Sequence, residues 1–100
     1  MIVVDVQQSG TQVEVQVGQT LAIRLKENAG TGFRWSVEDA GGLTPDDHVD
    51  RGAAPGAAGW REFRFRAPGP GKHRLVLRHW REWQGEASIT QRFVLEARFA

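Results

Sequence analysis

Apolar and polar residues alternate with period two along most of this chain, and that period predicts β-strands with one face on a core. Val13, Val15 and Val17 alternate with Gln12, Glu14 and Gln16; after a turn at Gly18, Leu21, Ile23 and Leu25 alternate with Ala22, Arg24 and Lys26. These two runs are expected to pair as a hairpin. Phe33, Trp35 and Val37 share a face against Arg34, Ser36 and Glu38, and Phe63 and Phe65 share one against Glu62, Arg64 and Arg66. Their rings are the predicted core. Pro68, Gly69, Pro70 and Gly71 read as a turn, because proline removes ladder donors and glycine permits positive φ. A long strand is expected from about Lys72 to Trp80. The last strand, roughly Ser88 to Phe99, sets Phe93, Leu95, Ala97 and Phe99 on one side and Arg92, Glu96 and Arg98 on the other, with Val94 out of pattern. With Ile2 to Val6 as the first, this makes six strands, and a seventh is considered around His48 to Arg51. No stretch has a helical period. The expected architecture is all-β: an immunoglobulin-like β-sandwich of about seven strands, one domain over residues 1–100.

The stretch from Asp39 to Gly59 breaks this rhythm, with five glycines, five alanines and two prolines. Only Leu43 and Val49 are available to anchor it, so part of it is expected to be mobile or functional. No internal repeat interrupts the rest.

Composition narrows the class without naming a function. One hundred residues make one core, and 40% apolar with 25% charged residues is the balance of an ordinary globular chain. Thirteen basic against twelve acidic residues leave a net charge of +1, which supplies no long-range field for nucleic acid or anionic lipid. Neither is expected as a partner. There is no cysteine, hence no disulfide framework, thiolate metal site or thiol nucleophile. Met1 to Asp5 lack the basic start and apolar core of a signal peptide and read as strand. On that basis the chain is cytoplasmic, or periplasmic or secreted if a leader was removed.

Three strings do not look like scaffold. Asn28-Ala29-Gly30-Thr31-Gly32-Phe33 and Arg81-Glu82-Trp83 fall at strand junctions, and the glycine-rich Gly56-Ala57-Ala58-Gly59-Trp60 lies between them. Taken alone, the first also reads as a plain hairpin turn, with Asn28 bonding its own backbone. In the third, one of Trp80 and Trp83 is expected to cap the core end beneath Arg78 or Arg81 as a cation–π pair. The other projects, and exposed Trp and Arg are the residue types most enriched at binding hot spots.

In order and spacing these strings resemble the three inhibitory loops of the chagasin-type inhibitors of papain-like cysteine proteases, which read NPTTGF, GxGG and RPW. Asn28, Thr31, Gly32 and Phe33 match the first, Gly56 and Gly59 the second, and Arg81 and Trp83 the third. The resemblance runs from about Thr20 to Phe99. It implies a reversible, non-covalent inhibitor, not an enzyme, that blocks the active site of a papain-like protease. The implied contact residues are Asn28, Gly30, Thr31, Gly32, Phe33, Gly56, Ala57, Ala58, Gly59, Arg81 and Trp83, with no cofactor or metal and with a monomer as the expected state. Ala29 and Gly30 stand where the family has proline and threonine, Ala58 where it has glycine, and Glu82 where it has proline. Looser first and third loops are the expected consequence.

Two other classes draw on different residues. An enzyme would draw on Asp46, Asp47 and His48, or on His73 and His79; the latter share a strand face but stand about 20 Å apart, too far for one metal. A binding or adhesion module of the same fold would use Trp60, Trp80 and Trp83 as a stacking platform for a sugar or peptide. Thr31-Gly32-Phe33 separates the readings, since a sugar platform does not need it.

Overall fold

The alternating strands stack as two four-stranded sheets whose apolar faces meet. The computed structural model describes residues 1–27, 29–46 and 59–100. In chain order the strands are β1 (Ile2–Val4), β2 (Thr11–Val15), β3 (Leu21–Glu27), β4 (Arg34–Asp39), β5 (Thr44–Asp46), β6 (Gly59–Arg66), β7 (Gly71–Trp80) and β8 (Gln91–Phe99). One sheet runs β1-β3-β6-β5 and the other β2-β8-β7-β4.

The inward positions are those the period-two pattern selects. Leu21, Ile23 and Leu25 of β3 and Phe65 of β6 face Leu75 and Leu77 of β7 and Phe93, Leu95, Ala97 and Phe99 of β8, all buried. Each such side chain contributes about 1.5–3 kcal/mol by leaving water. Trp35 and Leu43 close the cluster, while Val37 and Phe63 pack against it half-buried.

The expected hairpin between the valine run and the leucine run does not form. β2 pairs in parallel with β8, from Thr11 opposite Leu95 to Val15 opposite Phe99, and β3 pairs with β1 and β6 in the other sheet. The Gln16–Gln19 turn therefore carries the chain from one layer to the other. Both runs bury their apolar faces this way, and alternation alone cannot tell pairing within a layer from stacking across it. β1 stops at Val4 because Asp5 caps a short 3-10 turn over Val6–Gln8, and a second such turn at Glu86–Ser88 delays β8 to Gln91.

Thr44–Asp46, part of the stretch that broke the strand rhythm, is a short strand at the sheet edge, with Pro45 opposite Phe65 and Asp46 opposite Arg64. An edge is where a missing N–H costs least. Leu43 anchors that stretch, 4% exposed. The strand considered at His48 to Arg51, and Val49, lie outside the described residues. Gly41, at φ 63°, has the Arg74 main chain where a side chain would begin, so only glycine fits there.

Register also fixes which loops share an end. Glu27 lies opposite Gly59, and Arg34 opposite Trp80. The 28–33 connection, the start of β6 and the 81–90 connection thus meet at one end of the sandwich.

Candidate functional site

β3 and β4 belong to different sheets, so the short connection between them must cross the sandwich end. Ala29–Thr31 form a 3-10 turn, and the Phe33 N–H donates to Thr31 Oγ1 at 3.3 Å. Gly32 follows at φ 79°, left-handed backbone that a side chain disfavours. Thr31 is exposed and Gly32 and Phe33 are half-buried.

Beneath the crossing, side chains of one sheet hold the main chain of the other. Glu27 Oε1 accepts the Trp35 N–H at 2.8 Å, while Arg61 Nη1 donates to the Trp35 carbonyl at 3.0 Å. Arg61 and Glu27 pair at 3.2 Å, with side chains 15% and 3% exposed. The Trp35 indole N–H donates to the Lys26 carbonyl at 3.0 Å. Both main-chain groups of Trp35 are thereby occupied, so the edge of β4 is blocked to another strand at that residue. Sequence reasoning passed over this bracket, though a signal was present: Glu27 continues the inward series Leu21, Ile23, Leu25, and Arg61 the series Phe63, Phe65. A charge on an apolar parity implies a buried partner.

The third string sits directly beside the first. Arg81 donates to the Thr31 carbonyl from Nε at 3.2 Å and Nη2 at 3.0 Å, and its guanidinium lies 4.3 Å from the Phe33 ring centre. The opposite partner of Phe33 is His79, stacked at 5.4 Å and 23°, and His79 in turn lies 5.1 Å from Trp35. Phe33 is thus part of a stack above the core rather than a member of it. Burial pushes the His79 imidazole below its ordinary value, against a smaller upward pull from Glu27. Beyond Arg81, Glu82–Gln84 and Glu86–Ser88 form two 3-10 turns joined at Gly85. Ser88 Oγ accepts the Arg81 N–H at 3.0 Å and donates to the Gly85 carbonyl at 2.7 Å. The result is a compact spur that presents Trp83, 71% exposed, with its ring edge against Gly32.

Of the two strand-end tryptophans, Trp80 takes the arginine: Arg78 lies over it at 3.6 Å. Arg24 covers Trp60 at 4.4 Å. Two of the three rings proposed for a stacking platform therefore have a face occupied. A groove of about 260 Å³ runs between Arg34, Trp80 and Trp83 beside Gly32. On the outer face of the first sheet, Glu62 is fully buried under Arg24 and Arg64, at 2.7 and 2.6 Å. Burial would raise its carboxyl, but the two arginines outweigh that and hold it below the usual range.

Of the predicted contact residues, Gly30, Thr31, Gly32, Phe33, Gly59, Arg81 and Trp83 lie at this end; Asn28, Gly56, Ala57 and Ala58 lie outside the described residues. Among the described residues no group of three histidine, aspartate, glutamate or cysteine side chains is placed to hold a metal. His73 bonds the Gly41 carbonyl at 2.8 Å at the opposite end of β7 from His79, and Asp47 and His48 are not described.

The chain is similar to known proteins in both sequence and fold. Residues 14–97 match the model of the chagasin family of peptidase inhibitors, I42. Chagasin of Trypanosoma cruzi is 28% identical over 96 residues, covering 87% of each chain. Among solved structures, the cysteine protease inhibitor EhICP2 of Entamoeba histolytica superposes with a TM-score of 0.86 at 15% identity, over 99% of this chain and 94% of that one. PbICP-C, solved in complex with falcipain-2, superposes over the full length of both chains with a TM-score of 0.68 at 15% identity.

Proposed function

Because the chain belongs to the chagasin family of peptidase inhibitors, we propose that it is a reversible, non-covalent inhibitor of papain-family cysteine proteases that plugs the active-site groove with three loops. The family is one of inhibitors, not enzymes. The first loop carries Asn28, Gly30, Thr31, Gly32 and Phe33, the second Gly56, Ala57, Ala58 and Gly59, and the third Arg81 and Trp83, of which Trp83 is the one that projects.

Such a protease attacks with a cysteine thiolate activated by an imidazolium. A plug needs only to occupy the space above the sulfur. Thr31 is the small exposed side chain at the crest of the first loop, and Gly32 lets the main chain narrow there. Trp83 supplies a large rigid anchor to one wall of the groove, and the 56–59 main chain lies along the other as an added strand edge. No bond to the inhibitor forms or breaks in this scheme, which suits a chain without cysteine. An interface of ordinary size, about 1,600 Å² in total, is sufficient.

One observation carries this reading: the first and third loops interlock at one sandwich end, through Arg81 on the Thr31 carbonyl and Trp83 against Gly32, where β6 also begins. Loops ordered before binding do not pay for ordering during it. The complex of PbICP-C with falcipain-2 supports the same kind of partner. The test is titration of papain and of a cathepsin L-like enzyme with the purified chain, followed by hydrolysis of a small fluorogenic peptide. Stoichiometric loss of activity that returns on dilution is expected; full activity of both enzymes at micromolar inhibitor would end the proposal.

A further inference from the structure

We propose that Arg81 acts from inside the inhibitor, as a positioning residue that sets the Thr31–Gly32 turn, rather than as a group that bonds the protease. The proposal rests on the inhibitor reading for its consequence but not for its geometry.

A guanidinium presents its donors in a fixed planar fork, and here Nε and Nη2 converge on one oxygen, the Thr31 carbonyl, at 3.2 and 3.0 Å. The same plane covers Phe33 at 4.3 Å. The residues on both sides of Gly32 are therefore held by one side chain. Arg81 is itself fixed at its root: Ser88 Oγ takes its N–H at 3.0 Å and lies 2.9 Å from its carbonyl. It is half-buried, whereas Trp83, two residues on, is 71% exposed. This division of labour answers a specific weakness of the sequence. Ala29 and Gly30 restrict their own backbone less than proline and threonine would, and Arg81 adds restraint to the loop from outside it. A contact to a single carbonyl also gives a reason for arginine over lysine: an ammonium keeps the charge but has neither the fork nor a plane to lay on Phe33.

The deciding measurement is amide hydrogen exchange by NMR on the free protein, for wild type, Arg81→Lys and Arg81→Ala. Both variants are expected to speed exchange at Gly32 and Phe33 by about tenfold or more, the scale of losing a charged hydrogen bond. Leu77 and Leu95 in the core should be unchanged and serve as the check that the fold persists. Both variants should also weaken papain inhibition by a similar factor. Unchanged exchange at Gly32 and Phe33 in either variant overturns the proposal. So does Arg81→Lys inhibiting as wild type does, since a charge contact to the protease would survive that change. The exchange result needs no protease, so failure of the wild-type chain to inhibit papain would sink the inhibitor reading and leave this one standing.

Discussion

Gly32 is packed against the edge of Trp83 so closely that a methyl group on it would lie 2.6 Å from Trp83 Cη2. The glycine at the crest of one loop and the aromatic anchor of another are thus parts of one surface. Gly32→Ala is expected to act twice. It places a side chain at φ 79°, costing about 1–2 kcal/mol, and it displaces the Trp83 ring. Thermal unfolding should register the first effect, and altered Trp fluorescence with at least tenfold weaker inhibition the second. Retention of both the wild-type emission and the inhibition constant would show that the contact does not matter.

Trp83→Ala should leave stability within about 0.5 kcal/mol, since the ring is 71% exposed and supports little of the core. Against a papain-type enzyme it should cost about thirtyfold or more, as loss of a single aromatic anchor does. The inhibition constant decides; no change removes Trp83 as the anchor.

Thr31→Arg puts bulk at the exposed crest of the first loop. Circular dichroism and melting temperature should match wild type, while inhibition of papain is abolished by steric exclusion. Potency equal to wild type would mean that the first loop stays outside the groove.

Glu27→Ala removes one member of the bracket under the loop. It takes the carboxylate from beside Arg61, 15% exposed, and frees the Trp35 N–H, so a loss of about 3 kcal/mol in urea unfolding is expected. The paired change Glu27→Leu with Arg61→Met should recover part of it, because an apolar pair replaces a buried cation that has lost its carboxylate. A single mutant as stable as wild type would contradict the bracket.

Acid should loosen the same end. His79 is depressed below its ordinary 6.5 in the folded chain, so the unfolded chain binds the proton first. Stability from this group is complete above about 6.5 and is lost as pH falls through the lower folded value. Protonation would also place a second cation on the Phe33 ring, whose other partner is Arg81. Glu62 contributes in the same direction but lower, below its ordinary 4.5, because its folded carboxyl is also depressed. Urea midpoints between pH 7 and 5 should fall for wild type and flatten for His79→Gln. A flat wild-type profile over that window would exclude His79 as the titrating group.

Much of this protein was settled locally, and therefore readable. Strand alternation depends on neighbours two positions away, so the inward faces of β3 and β8 were evident from Leu21 and Phe93 and their alternates. Trp83 stood out as an exposed aromatic at a strand end, whereas Thr31 and Gly32, which alone read as a plain turn, stood out by their resemblance to an inhibitory loop. What stayed hidden depended on partners distant in the chain. The valine run pairs with β8 rather than with its neighbour β3, since either pairing buries the same faces and only the closed two-sheet arrangement discriminates. Glu27 finds Arg61, Arg81 reaches across 50 positions to the Thr31 carbonyl, and Phe33 leaves the predicted core for a stack between Arg81 and His79. A side chain's bonding capacity is written in its identity, but which group it meets is decided by the sheets that bring the two together.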